Sequence, residues 1–244
     1  MIDFRHYLEF ELGIHHEIID FLCNRPVPEN NEYWKGRESY LSRSPGYLFI
    51  PILFDLFLKN GISKSEILSE SHIQLIEDIL HLAARQERDQ ITYPQLHEEC
   101  RQVVQKTGIA VNEIQRADKE LVKRPFLIIP EKYQSLRRAN SYLYAASLFP
   151  NDYNLIFQIW ESLMPFFLFL DDLADLKEDV LNKTENCLLD SPDIQDNFFI
   201  LHPLMAELLK RIESINSKLY KELDRMRKEA IVGTMGEILL YRDF

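Results

Sequence analysis

Near residue 170 an apolar run, Phe166-Phe167-Leu168-Phe169-Leu170, ends in a group of carboxylates: Asp171, Asp172, Asp175, Glu178 and Asp179. At about 100° per residue these acids fall within roughly a third of a helix circumference, and Leu173, Leu176 and Val180 take the opposite side. Carboxylates gathered on one face repel one another unless water screens them or a hard cation such as Mg²⁺ lies between them. The face is therefore either a divalent-cation site or the solvated end of a helix.

On the same wheel Trp160, Met164, Phe167 and Leu168 fall on or beside the acidic face. A pocket built on it is polar at its mouth and apolar at depth, with Met164, Phe167 and Leu168 as the hydrophobic wall. The alternative is that these are core residues and the acids are the solvated end of the helix. Pro165 removes a backbone donor about one turn before Asp171, and this predicts a kink or a restart of the helix.

The stretch Met164-Pro165-Phe166-Phe167-Leu168-Phe169-Leu170-Asp171-Asp172-Leu173-Ala174-Asp175, continued by Leu176-Lys177-Glu178-Asp179, resembles the second aspartate-rich motif of class I isoprenoid synthases. These are all-helical enzymes that include trans-prenyltransferases and squalene/phytoene synthases. The resemblance implies Mg²⁺ as cofactor and a prenyl diphosphate as substrate, the diphosphate leaving to give a carbocation in an apolar cavity. It makes Asp171, Asp172 and Asp175 the catalytic set and primary metal ligands, with Glu178 and Asp179 in support.

Such an enzyme uses a second acidic helix, and residues 71–90 are the candidate. Gln74, Glu77, Asp78, His81, Arg85, Arg88 and Asp89 form one polar stripe there, mixed in charge. Neither Glu77-Asp78 nor Arg88-Asp89 reproduces the DDxxD pattern of the family's first motif, so Glu77, Asp78 and Asp89 stand as the opposing metal ligands, with His81 and Arg85 beside the substrate. Arg137, Arg138, Lys177 and Lys183 are candidates to pair with the diphosphate. Arg43, before the apolar segment 47–58, is a further basic candidate, although the family's Gly-Lys-Arg pattern is absent.

Two other classes compete. The spacings Glu11-x-x-x-His15, Glu77-x-x-x-His81 and Asp78-x-x-His81 place a carboxylate beside an imidazole, as helical-bundle non-haem iron proteins require. No second such pair follows; the histidine after His97 is His202. The incomplete first motif and short chain also suit a non-catalytic partner or regulatory subunit that keeps the isoprenoid-synthase fold.

The elements that must position these groups are helices. The chain has 244 residues, 46% of them hydrophobic, and only 7 glycines, a composition that favours an all-α fold with a substantial core. A net charge of -11 argues against nucleic acid and anionic membrane surfaces as partners. Cys23, Cys100 and Cys187 lack CxxC spacing and suit a reducing, cytoplasmic setting as buried fillers. No apolar run is long enough to read as a transmembrane segment.

Helices are predicted over 6–23, 47–58, 71–90, 94–107, 110–122, 131–148, 151–181 and 202–240, with a short one capped by Ser63-x-x-Glu66. Asn24 to Asn31, with two prolines, breaks the chain, and Asn60-Gly61 supplies a glycine stop. Leu208, Ile212, Ile215, Leu219 and Leu223 suit a core helix or a homodimer seam. The whole, residues 1–244, reads as a single helical bundle of about eight to ten helices, isoprenoid-synthase-like in architecture.

Overall fold

The computed structural model describes residues 3–240, so residues 1–2 and 241–244 of the expected 1–244 domain lie outside the described residues. The fold is all helical, and no strand occurs among the described residues. The chain opens with α1 (Phe4–His6) and a π-helical turn (Tyr7–Glu11), then α2 (His16–Asn24) and α3 (Pro45–Lys59). Next come α4 (Lys64–Ile67), α5 (Glu70–Glu87), α6 (Tyr93–Lys106) and α7 (Val111–Ala117), the last extended by a π-helical turn (Asp118–Val122). A 3₁₀ segment (Gln134–Leu148) precedes α8 (Tyr153–Asn182), and a short 3₁₀ turn (Cys187–Leu189) precedes α9 (Ile194–Glu213) and α10 (Ser217–Leu240).

The 30-residue α8 is the axis of the bundle, packed against α3, α9, α10 and the 3₁₀ segment. It is long and apolar enough to cross a membrane, yet 78% of its most apolar window is buried inside the fold, the position of a core helix. Pro165 does not restart it; Tyr153 to Asn182 is one element. α3 is buried from Tyr47 to Phe57, matching a sequence that is apolar except for Asp55, and stops where Gly61 takes φ +95°. That is the glycine stop expected there, since only glycine enters this region without steric cost.

Other boundaries differ. The expected helix over 6–23 is interrupted at Leu12 to His15, where tertiary hydrogen bonds win over helix continuity. Asn216 Nδ2 donates to the Leu12 carbonyl at 2.9 Å, Lys59 Nζ donates to the Gly13 carbonyl at 2.7 Å, and His15 N donates to Asp55 Oδ1 at 2.9 Å. Ser63 caps α4 only by position, without a side-chain bond; the reciprocal capping box forms instead at Thr92 and Gln95, heading α6. Residues 131–148 become a tighter 3₁₀ spiral from Gln134, buried throughout from Asn140 to Ser147. The expected 202–240 helix is two, α9 and α10, turning at Ser214–Asn216, and α9 begins at Ile194 under an Asp193 cap that accepts from Asp196 N at 2.8 Å.

One continuous apolar core runs from Leu8 to Ile238 and includes Leu208, Ile212, Leu219 and Leu223. Those four residues are therefore core rather than an exposed seam. All three cysteines are free thiols, Cys100 and Cys187 buried and Cys23 half-buried.

Candidate functional site

The five acids at the end of α8 divide by environment. Asp172 points inward and is almost wholly buried. Its Oδ1 accepts from Arg138 Nη2 at 2.8 Å, and its Oδ2 accepts from Arg138 Nη1 at 3.3 Å and from the Cys187 backbone N–H at 2.8 Å. Asn186 Nδ2 adds a bond to the Asp172 carbonyl at 2.8 Å and another to Asp179 Oδ2 at 2.8 Å, while Thr184 Oγ1 donates to Asp179 Oδ1. Asp172 and Asp179 thus fasten α8 to the loop that follows it. Asp171, Asp175 and Glu178 face water, and Asp171 has only a 3.4 Å contact to Arg138.

Glu87, the last residue of α5, lies close enough to Asp171 to feel its charge. Water reaches Glu87, but protein surrounds it closely enough that desolvation is the main cause raising its carboxyl above the usual range, with Asp171 adding to the rise and Arg138 opposing it. Asp171 is raised in the same way, by desolvation first, with Arg138 again opposing and Asp175 and Asp172 adding. Asp175 is raised by desolvation, then by Asp179, Glu178 and Asp172. Glu185 and Asp190, on the loop after α8, are raised by desolvation too, and Ser135 Oγ holds Asp190 at 2.7 Å. These groups form one electrostatically coupled acidic cluster whose carboxylates would be relieved by positive charge, with Arg138 as the cation fixed among them.

The opposing residues named from the sequence are placed differently. Glu77 is buried and ion-paired with Arg25 at 2.5 Å, which ties α5 to the 25–31 breaker. Asp78 accepts from Gln74 Nε2 at 3.0 Å. His81 Nδ1 accepts from Glu32 N at 3.0 Å, Arg85 pairs with Glu99 at 3.0 Å, and Asp89 lies exposed beyond α5 at φ +55°. Most of this stripe stitches neighbouring segments to α5. Glu87, not singled out by any motif, is the α5 acid that couples to Asp171; its signal was its place two residues before Asp89, on the last turn of the same helix.

Arg137 lies over the Phe126 ring at 5.6 Å, and its Nη2 is buried without a hydrogen-bond partner. Lys177 and Lys183 are exposed, the latter left-handed at φ +57° as the α8 C-cap. Arg43 lies over the Tyr7 ring at 4.8 Å. Met164 and Phe167 are buried in the core, Phe167 edge-on to Phe166 at 5.6 Å, and Leu168 is half-buried. These three residues line neither of two cavities in the fold: a 10 Å³ void beside Tyr142 and Trp160, and a 410 Å³ cavity reached by Leu155, Ile159 and Ser162.

Among the described residues no three or more His, Cys, Asp or Glu side chains are gathered to hold a metal ion. For the iron alternative this means that Glu77 and His81 are spent on Arg25 and Glu32, while His15 lies beside Glu17 at 3.6 Å. Mg²⁺ sets a weaker requirement, because it keeps several waters and is usually held through one or two carboxylates together with substrate phosphates. Asp171 and Asp175, one turn apart and water-facing, have that donor chemistry; Asp172, with its oxygens turned to Arg138 and Cys187, does not. No known protein family, no curated protein and no solved structure matches the chain.

Proposed function

We propose that the acidic cluster at the last turn of α5, the start of the 3₁₀ segment and the acidic end of α8 binds the diphosphate of a prenyl diphosphate together with Mg²⁺, and that the chain is a class I isoprenoid-synthase-like enzyme. The observation that carries this reading is that Asp171 and Asp175, one turn apart on α8 and without tight partners of their own, and Glu87, which feels the charge of Asp171 from the end of α5, are all held above the ordinary carboxylate range mainly by desolvation. Acids in that state gain from a bound divalent cation.

In this reading Asp171 and Asp175 hold Mg²⁺, and Arg138 offers a fixed positive edge to a phosphoryl oxygen. Bound Mg²⁺ supplies neutralisation of the diphosphate's charge as it departs. Asp172 is a positioning residue: it holds Arg138 in place.

A second reading, a non-catalytic partner of the same fold, is favoured by one feature. Met164 and Phe167 are packed as core, leaving no open apolar wall at those positions. Thermal unfolding with Mg²⁺, with a non-hydrolysable farnesyl diphosphate analogue and with both separates the two. A rise in Tm that needs both ligands and disappears in Asp171→Asn/Asp175→Asn supports the enzyme, and diphosphate release from farnesyl diphosphate completes the test. No shift in any combination leaves the partner reading.

A further inference from the structure

At the far end of α8 from the acids lies the 410 Å³ cavity, between the C-terminal turns of α3 and α9 and the loop that carries Leu127. Ser162, its lining residue nearest to Asp171, is about 13 Å away along the helix axis. The volume lies within the range of small-molecule sites. Leu56, Leu155, Ile159 and Ile212 make an apolar body, and Arg211 stands in the wall.

The way Arg211 is held sets this cavity apart from a packing fault. Glu161, in the middle of α8, is completely buried. Its Oε2 accepts from Arg211 Nη1 at 2.8 Å, and its Oε1 accepts from the backbone N–H of Leu127. A buried carboxylate is costly to keep in a helix core. Here one such group fixes both a guanidinium in the wall and the loop that carries a rim leucine, 62% exposed. Among the described residues no acceptor meets Arg211 Nε or Nη2, so one planar edge of the guanidinium remains open. Gln158, at the rim, also has a side-chain amide without a partner among the described residues.

From this geometry we infer that the distal cavity binds an amphiphilic monocarboxylate, its carboxylate on the open edge of Arg211 and its hydrocarbon chain against Leu56, Leu155, Ile159 and Ile212. An arginine fork matches a carboxylate in two parallel bonds. The surrounding field is not positive enough to favour a dianion, so a monocarboxylate is held by the two-point fork and by apolar burial. Glu161 already balances Arg211, and the C-terminal ends of α3 and α9, which carry partial negative charge, approach the same space. A dianionic phosphate meets that field with twice the charge. The exposed Leu127 side chain gains apolar burial when the chain of a ligand lies beneath it.

Octanoate, octan-1-ol and octyl phosphate, titrated into the full-length protein by calorimetry, test the assignment. Octanoate is expected to bind saturably with one site, and octan-1-ol roughly tenfold or more weakly, the worth of a charge-assisted hydrogen bond. Arg211→Gln should bring octanoate to the level of octan-1-ol. Because that variant leaves Glu161 buried without its cation and can fail to fold, Leu155→Trp, which fills the cavity from its rim, is the second arm and should abolish binding of both. The proposal is overturned if octanoate binds no better than octan-1-ol, if octyl phosphate binds more tightly than octanoate, or if octanoate binding survives Leu155→Trp.

Discussion

Arg138 and Asp172 form a two-point ion pair, Nη2 to Oδ1 at 2.8 Å and Nη1 to Oδ2 at 3.3 Å, with the carboxylate buried and the guanidinium mostly so. The pair separates two adjacent acids that look equivalent in sequence. Asp171 remains at the water surface, whereas Asp172 is the anchor that sets where Arg138 stands and where the chain re-enters at Cys187. Loss of Arg138 therefore acts on stability through a buried carboxylate left without its cation, with only the Cys187 N–H on it, and on the acidic cluster through its fixed charge.

Arg138→Ala is expected to destabilise the protein by about 3 kcal/mol, the usual scale for removing one partner of a buried pair. Asp172→Asn keeps the shape and one acceptor for Cys187 N, so it should cost less. Urea unfolding of both variants checks the order. Equal and negligible losses mean that the pair is not the anchor described here.

Asp171→Asn and Glu87→Gln should move stability the other way. Both carboxyls sit above their usual range in the fold, so ionising them near neutral pH costs folding free energy that protonation at lower pH returns. Each amide removes that cost. We expect a Tm higher than wild type by about 1–2 °C at pH 7, with the gap closing as pH falls through the raised carboxyl values. A lower Tm in both variants contradicts the strained-cluster description.

The acidic face was legible because five carboxylates at helical spacing need no tertiary information, and the buried α3 was legible because a run from Tyr47 to Phe57 without a polar face leaves no other place for it. What pairing does to each acid was not. Glu77 and Asp172 are buried in close ion pairs with Arg25 and Arg138, whereas Asp171 reaches Arg138 only at 3.4 Å and stays exposed, and those arginines lie 52 and 34 residues away in the chain. Gly13 hid the first helix break for a similar reason: its turn is set by Asn216, on the far side of the sequence. The distal cavity left no trace in periodicity either. Glu161 and Arg211 read as ordinary members of two separate helices until the fold brings them to 2.8 Å.

His72 supplies a pH dependence of opposite sign to the acidic cluster. The ring is buried against Phe54 and Phe149, its Nδ1 lies 2.7 Å from the Ile67 carbonyl, and burial pushes its pKa from 6.5 down to about 4. The unfolded chain takes up a proton between those values that the folded chain refuses, so stability falls as pH drops from 6.5 toward 4. The loss from this group is on the order of 3 kcal/mol, complete near pH 4. Denaturant unfolding at intervals from pH 7 to pH 4, for wild type and His72→Phe, isolates it. The wild-type curve should fall relative to the variant's by about 3 kcal/mol between pH 7 and pH 4, and parallel curves refute the assignment.

Asp55 is the last buried charge whose removal has a defined outcome. It lies in α3 with no exposure, and it accepts from His15 N at 2.9 Å, from Asn216 Nδ2 at 3.1 Å and from Lys59 Nζ. The segments around His15 and Asn216 meet α3 on one carboxylate, so Asp55→Ala strands the His15 backbone N–H and breaks the Lys59 ion pair, while Asn216 Nδ2 keeps the Leu12 carbonyl, and should cost about 3 kcal/mol. Gly13→Ala strikes the same joint from the other side. Gly13 has φ +64°, and an added Cβ meets Asn216 Oδ1 at 3.1 Å and Lys218 Cβ at 3.3 Å. Left-handed strain of about 1–2 kcal/mol then adds to the crowding. Since both substitutions alter the contacts of Asn216, the double variant should lose less than the two single losses together. Strict additivity in urea unfolding shows that Asp55 and Gly13 act on separate parts of the fold, and that Asn216 does not join them.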